Sequence, residues 1–103
     1  MSLVVSPNRS GDACVVKVAG EVDVWNADEL RSALDAELAS GVSAMEVDLS
    51  EVPYIDSTGI GVLVGVARRA ADASVALRVA NPQRNVARVL SLLGVGDELG
   101  VSL

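Results

Sequence analysis

Histidine and phenylalanine are absent from this chain, and cysteine, tryptophan and tyrosine occur once each. Each gap removes a class of chemistry. Without histidine, the commonest general base and the commonest metal ligand are missing. One cysteine and no histidine assemble neither a Ser-His-Asp nor a Cys-His catalytic site, and no Cys/His zinc site. A lone Cys14 makes no internal disulfide, which suits a reducing cytosol. Cations are also scarce, with 8 Lys and Arg against 14 Asp and Glu, a formal charge of −6. That balance disfavours nucleic acid and anionic membrane surfaces as partners. It permits a basic protein partner or simple solubility. Long apolar runs are lacking too. Ile60 to Ala67 is broken by two glycines and followed by Arg68-Arg69, far short of the roughly 20 residues of a bilayer span. No basic segment followed by an apolar one opens the chain, so no signal peptide and a cytoplasmic location are expected.

What is present is aliphatic. Half of the 103 residues are apolar, mostly Val, Leu and Ala, enough for one layered domain. The pattern alternates strands and helices. Leu3–Ser6 reads as a short strand, 7–12 (Pro-Asn-Arg-Ser-Gly-Asp) as a turn, and Ala13–Ala19 as a second strand with Cys14, Val16 and Val18 on one face, forming an antiparallel hairpin. After a loop over Gly20–Trp25, Asn26 caps a helix to about Leu38, with Glu29 three residues on as in a capping box and Leu30, Ala33, Leu34 and Leu38 as its apolar stripe. Ala44–Leu49 alternates as a strand, and 50–56 is a loop containing Pro53. A helix over Thr58–Ala71 and a strand over Ser74–Ala80 follow. Asn81-Pro82 is expected to open the last helix, which carries Val86, Val89, Leu90 and Leu93 on its stripe and stops at Gly94. The tail from Gly96 to Leu103 is expected to hold one short strand.

This order predicts an α/β domain with a mostly parallel sheet, an N-terminal antiparallel hairpin and helices mainly on one face. The alternation of the strands implies that the other face is partly wet. There, Lys17 and Arg78 flank the strand that carries Glu46 and Asp48, pairing opposite charges across neighbours.

The densest chemistry lies in Tyr54-Ile55-Asp56-Ser57-Thr58-Gly59-Ile60-Gly61. It puts the Ser57 hydroxyl at the start of a helix, where free N–H groups favour an anion. A phosphate added there would be held locally without breaking the fold. The ordinary reading makes Ser57 the helix N-cap, although Thr58 can serve as well. Gly59 and Gly61 are poor helix formers, so two in one first turn suggest that another chain or group approaches the backbone closely. Packing of the helix on the sheet is the ordinary reading, and Gly65 fits that one better. Asp23 and Asp56 lie in loops at the carboxyl ends of adjacent strands, the edge where open α/β sheets place their sites; each is also able simply to hold its turn. Asp56-Ser57-Thr58-Gly59 has the look of an aspartic-protease signature, but no matching second segment supplies the other carboxylate. Gly59-x-Gly61 with Gly65 is a poor dinucleotide loop. Trp25 is either an exposed partner anchor or a cover for the first helix.

Two segments, GEVDVWNADELRSAL and VDLSEVPYIDSTGIGVLVG, resemble the STAS domain of bacterial anti-sigma-factor antagonists. The likeness runs from the hairpin to the last helix, as a single domain over 1–103. It implies a non-enzymatic protein whose Ser57 is the phosphoacceptor for an anti-sigma factor that is itself an ATP-dependent serine kinase. The unphosphorylated form binds that kinase and frees a sigma factor, and a phosphatase resets the cycle. ATP is bound by the partner, so no cofactor or metal of this chain is implied. By resemblance Asp56 is the neighbour of the phosphoacceptor at the helix entry and Asp23 the loop carboxylate; the partner-binding surface is expected to comprise Glu21, Asp23, Trp25, Asp56, Ser57, Thr58, Gly59 and Gly61, and Trp25 after the Asp23 loop departs from the family's pattern. Thr58 stands where some members carry a second serine. The alternative within the same family is a non-catalytic regulatory or scaffold subunit of a transport or signalling complex, with Ser57 only a cap.

Overall fold

The computed structural model describes residues 3–101. Four strands form one sheet in the order β1-β2-β3-β4, with β1 (Val4–Ser10) antiparallel to β2 (Ala13–Ala19) and β3 (Ala44–Glu51) and β4 (Ala76–Ala80) parallel to β2. Three helices intervene or follow: α1 (Ala27–Ala39), α2 (Ser57–Asp72) and α3 (Arg84–Leu92). The expected architecture is therefore present, and it departs from expectation at four places for identifiable reasons.

The first is the hairpin. The turn expected over 7–12 is only Gly11-Asp12, and β1 pairs without a break through Pro7, Asn8, Arg9 and Ser10 to Ala13. A proline is tolerated because β1 is an edge strand. Gly11, at φ +64°, leads the two-residue turn that such hairpins prefer. The second is the start of α1. Asn26 occupies the cap position but makes no side-chain cap, and no capping box forms. Its amide instead braces the preceding loop, accepting from the Asp23 N–H at 3.0 Å and donating to the Glu21 carbonyl at 2.8 Å. The third is β4, which starts at Ala76 rather than Ser74. Ser74, at φ +60°, lies in the exit of α2, and the Val75 N–H reaches back to the Ala70 carbonyl at 2.8 Å, closing a Schellman-type end.

The fourth is the start of α3. Asn81 is not its cap: at φ +58° it turns away, and its amide donates to the Asp48 carboxylate at 3.2 Å. The helix begins at Arg84, and the Gln83 and Asn85 side chains tie its start to the Ser50 and Pro53 carbonyls at 3.0 and 2.7 Å. Val86 and Leu90 are buried as expected, whereas Leu93 is 54% exposed and lies off the stripe. The described part of the tail contains turns and no strand; residues 102–103 lie outside the described residues. Leu99, fully buried, accepts from the Val79 N–H at 2.8 Å and so closes over the outer edge of β4.

The sheet is one-sided. Cys14, Val16, Val18, Met45, Val47 and Leu49 are buried beneath the helices with Leu30, Leu34, Ile60, Leu63 and Val66. Each fully buried leucine contributes about 1.5–3 kcal/mol. On the other face Val15 is exposed and Glu46 and Asp48 half-buried. The anticipated charge pattern is there: Arg78 bonds Glu46 at 2.7 Å, and Lys17 stands opposite Asp48 in the register and 3.6 Å from Glu51. A hollow of about 540 Å³ on this face is lined by Ala13, Val15, Ala44 and Ala76 at the amino ends of the parallel strands, the end opposite Ser57. Among the described residues no helix is long and apolar enough to cross a membrane. The single thiol is sequestered, and burial together with the Glu37 carboxylate 3.3 Å away pushes Cys14 above its ordinary value.

Asp48 gives this face its pH dependence. Burial raises its carboxyl, but the Ser50 N–H at 2.9 Å, the Asn81 amide, the Ser50 hydroxyl and the Lys17 charge together outweigh that and hold it below its ordinary 3.8. A carboxylate depressed on folding stabilises fully above its unfolded-state value and loses that stabilisation as the pH falls through the folded-state value. Acid titration of unfolding should therefore show the wild type losing its advantage over Asp48→Asn below about pH 4. Parallel stability curves for the two proteins over that range would contradict it.

Candidate functional site

The site is built by two loops that keep the pairing of β2 and β3 going beyond the strands. After a register shift between Lys17 and Ala19, the Gly20 N–H bonds the Glu51 carbonyl at 3.0 Å. Val22 and Ile55 then form an isolated parallel bridge, with the Val22 N–H on the Tyr54 carbonyl at 2.9 Å and the Asp56 N–H on the Val22 carbonyl at 3.1 Å. Loops 20–26 and 51–56 are thus hydrogen-bonded neighbours, as their place at the carboxyl edge implied. Val22, Ile55 and Gly59 are buried. A Cβ on Gly59 would lie 2.6 Å from Val22 Cγ1 and 2.8 Å from Ile55 Cγ1. Close approach is therefore why residue 59 is glycine, and what approaches is this chain's own core, not a partner.

α2 opens at Ser57, and its cap is Asp56. That carboxylate accepts from the Gly59 N–H at 3.0 Å, while the Asp56 carbonyl accepts from the Ile60 N–H at 3.0 Å. The ordinary reading of Ser57 as the N-cap is therefore overturned. Ser57 is the first helical residue and is exposed, and its hydroxyl makes no hydrogen bond among the described residues. Thr58 is exposed beside it. A phosphate here would meet the N-terminal N–H groups of the helix and also the Asp56 carboxylate, so the stabilising and opposing fields partly cancel.

The remaining candidates separate clearly. Asp23 holds its own turn, its carboxylate accepting from the Trp25 N–H at 2.9 Å and its carbonyl from Ala27 N–H at 2.9 Å. Trp25 is 90% exposed, which rules out its covering α1. Glu21 is exposed. Gly61 is exposed and a Cβ there would meet nothing within 4 Å, so nothing inside the fold requires a glycine. Gly65 does not pack on the sheet; a Cβ there would meet only the Arg69 guanidinium at 3.3 Å, an arginine held by Asp35 of α1. Val24 and Tyr54, 62% and 48% exposed, add to the apolar surface of this edge. Neither was singled out from the sequence; the signal was two large apolar residues in loops otherwise rich in polar and acidic residues. Among the described residues no group of three or more Cys, Asp or Glu is placed to hold a metal ion.

The arrangement offers an exposed hydroxyl at a helix start, next to the capping Asp56 carboxylate and surrounded by apolar and acidic surface. Residues 5–101 match the family described as "Mlab, STAS domain". The anti-sigma-B factor antagonist of Bacillus subtilis (strain 168) is 30% identical over 102 residues, 99% of this chain and 93% of that protein.

The chain belongs to the STAS-domain family of anti-sigma-factor antagonists. Solved structures share the fold of this STAS domain. An anti-sigma factor antagonist from Mycobacterium paratuberculosis superposes with a TM-score of 0.82 at 24% identity, covering 97% of this chain and 85% of that one. The Bacillus cell fate determinant SpoIIAA in its phosphorylated form gives 0.74 at 17%, covering 97% and 92%.

The roles of the α2 entrance separate by stability. Asp56→Ala should cost about 1 kcal/mol through loss of the cap, and Ser57→Ala should stay within about 0.5 kcal/mol of wild type. Gly59→Ala should cost about 1–3 kcal/mol by overpacking, whereas Gly61→Ala should gain up to about 1 kcal/mol from helix propensity. Denaturant unfolding of the four variants checks this; equal losses at 59 and 61 would refute the assignment.

Proposed function

We propose that this STAS domain is an anti-sigma-factor antagonist switched by phosphorylation of Ser57. Unphosphorylated, it binds an anti-sigma factor that is a serine kinase and so releases a sigma factor. The kinase brings the ATP, and this chain needs no cofactor. Transfer of the γ-phosphoryl group to the Ser57 hydroxyl ends the interaction, and a phosphatase restores it. The protein acts as a substrate and ligand rather than an enzyme, in the cytoplasm, without direct contact to nucleic acid or membrane.

The observation that carries this reading is that Asp56, not Ser57, caps α2. The serine hydroxyl has no structural task to give up and stands exposed at a helix start. The surface around it supports a protein partner: Trp25, Val24 and Tyr54 supply apolar contact, Glu21 the charge, and Gly61 allows a close backbone approach. Modification there adds about −1.5 to −2 charges. Desolvating that anion against a partner costs several kcal/mol, while the interior, which the hydroxyl does not touch, keeps its packing. A Bacillus protein of this fold exists in a phosphorylated form.

The test uses the purified cognate anti-sigma factor with ATP. Mass spectrometry should find one phosphate on Ser57, and Ser57→Ala should bind without being modified. Ser57→Asp should bind more than about a hundredfold more weakly, equivalent to about 3 kcal/mol. Amide NMR spectra of the free and phosphorylated forms should differ only around 20–26 and 54–62. If Ser57→Asp binds like wild type and no phosphate is transferred, the scaffold-subunit reading replaces this one.

A further inference from the structure

The eight side-chain cations of this protein are not equivalent. Arg9, Lys17, Arg31, Arg68, Arg69 and Arg78 each lie within 4 Å of a carboxylate. Arg84 and Arg88 have no such partner among the described residues, although acids outnumber bases 14 to 8. Both are exposed and stand one turn apart on α3. Arg84 is the first residue of that helix, whose first turn has no acidic residue. A cation there opposes the helix dipole, so the fold gains nothing local from it. One further turn along the same face is Leu92, 78% exposed, with Leu93 beside it at 54%. A local rule broken with no compensation inside the fold marks a site made for something outside it.

We infer that the Arg84–Arg88–Leu92 face of α3 is a docking surface for a protein partner with an acidic rim and an apolar pocket. Charge complementarity selects the sign of the partner: the only unpaired side-chain cations among the described residues meet its carboxylates, and Leu92 enters its pocket. Two arginines on a nine-residue helix of a protein with a net charge of −6 make a poor membrane anchor or nucleic-acid reader. This surface does not include the Ser57 hydroxyl and does not depend on the phosphorylation reading. The Gln83 and Asn85 amides hold it rigid by tying the start of α3 to the 50–53 loop.

The experiment titrates ¹⁵N-labelled protein with a synthetic helical peptide carrying glutamates four residues apart and a leucine one turn further on. A parallel arm uses phosphatidylglycerol vesicles. Amide shifts should cluster at 84–93. Binding should weaken at least about tenfold in Arg84→Glu/Arg88→Glu, and should also weaken in Leu92→Ser and from about 50 mM to about 300 mM salt. The double variant should melt no lower than wild type, because neither arginine serves the fold. Equal binding by wild type and double variant, shifts centred on 20–26 or 54–62, or no binding to the peptide would overturn the proposal. Binding to the vesicles alone would assign the face to a membrane instead.

Discussion

The backbone pairing between Val22 and Ile55 is the constraint on which the functional edge depends. It carries the alignment of β2 and β3 past the bulge at Lys17/Ala19 and into two loops that would otherwise be independent. The Asp56 N–H, held by the Val22 carbonyl, ends that pairing and fixes where the chain turns into α2. Gly59 completes the arrangement, because only a residue without a Cβ lets the first turn of α2 lie against the Val22 and Ile55 side chains. Two apolar side chains, one missing methyl group and three backbone hydrogen bonds thus determine where one hydroxyl is displayed.

From this follows a division of labour at the helix start. Asp56 satisfies the helix, and Ser57 is left for other uses. Loss of a cap costs about 1 kcal/mol, so a serine that both capped the helix and accepted phosphate would couple signalling to stability. Under the proposed function the two tasks fall on adjacent residues and are separated. The cost is proximity, since a phosphate on Ser57 shares the N-terminal field of α2 with the Asp56 carboxylate. The two groups sit on neighbouring residues, closer than the roughly 8–10 Å over which salt screens charges, so only the high dielectric of water weakens that repulsion. A binding partner that excludes water would feel it in full.

The same separation runs through the rest of the molecule. The covered face of the sheet is apolar, aliphatic apart from Cys14 and Met45, and holds the domain together. The open face carries the Arg78–Glu46 and Lys17–Glu51 pairs, which are exposed and worth little to stability, and the carboxyl edge carries the exposed Val24, Trp25 and Tyr54. α3 bridges two of these regions. Its buried Val86 and Leu90 belong to the core, its first turn is tied to the loop that leads to Ser57, and its outer face presents charge that the fold leaves unmatched.

Much of this was legible in the chain itself. Period-two alternation in Ala13–Ala19 and Ala44–Leu49 and the period of Leu30 and Leu34 determined element types, the one-sided sheet and the neighbouring positions of the two loops, because burial of one face imposes those periods directly. The Asp-Ser-Thr-Gly segment likewise pointed to the family. Local sequence was unable to choose among competent caps: Asp56, Ser57 and Thr58 all suit the start of a helix, and Asn26 and Asn81 suit the starts of two others. The choice fell to tertiary structure, since a cap forms only where the backbone leaves the helix, and that point is set by the last hydrogen bond to a neighbouring strand or loop. Pairing between distant segments decided the rest as well: Pro7 became strand because it lies on an edge, Gly59 became core because Val22 folds against it, and among the side-chain cations of the described residues Arg84 and Arg88 remained without a counter-charge.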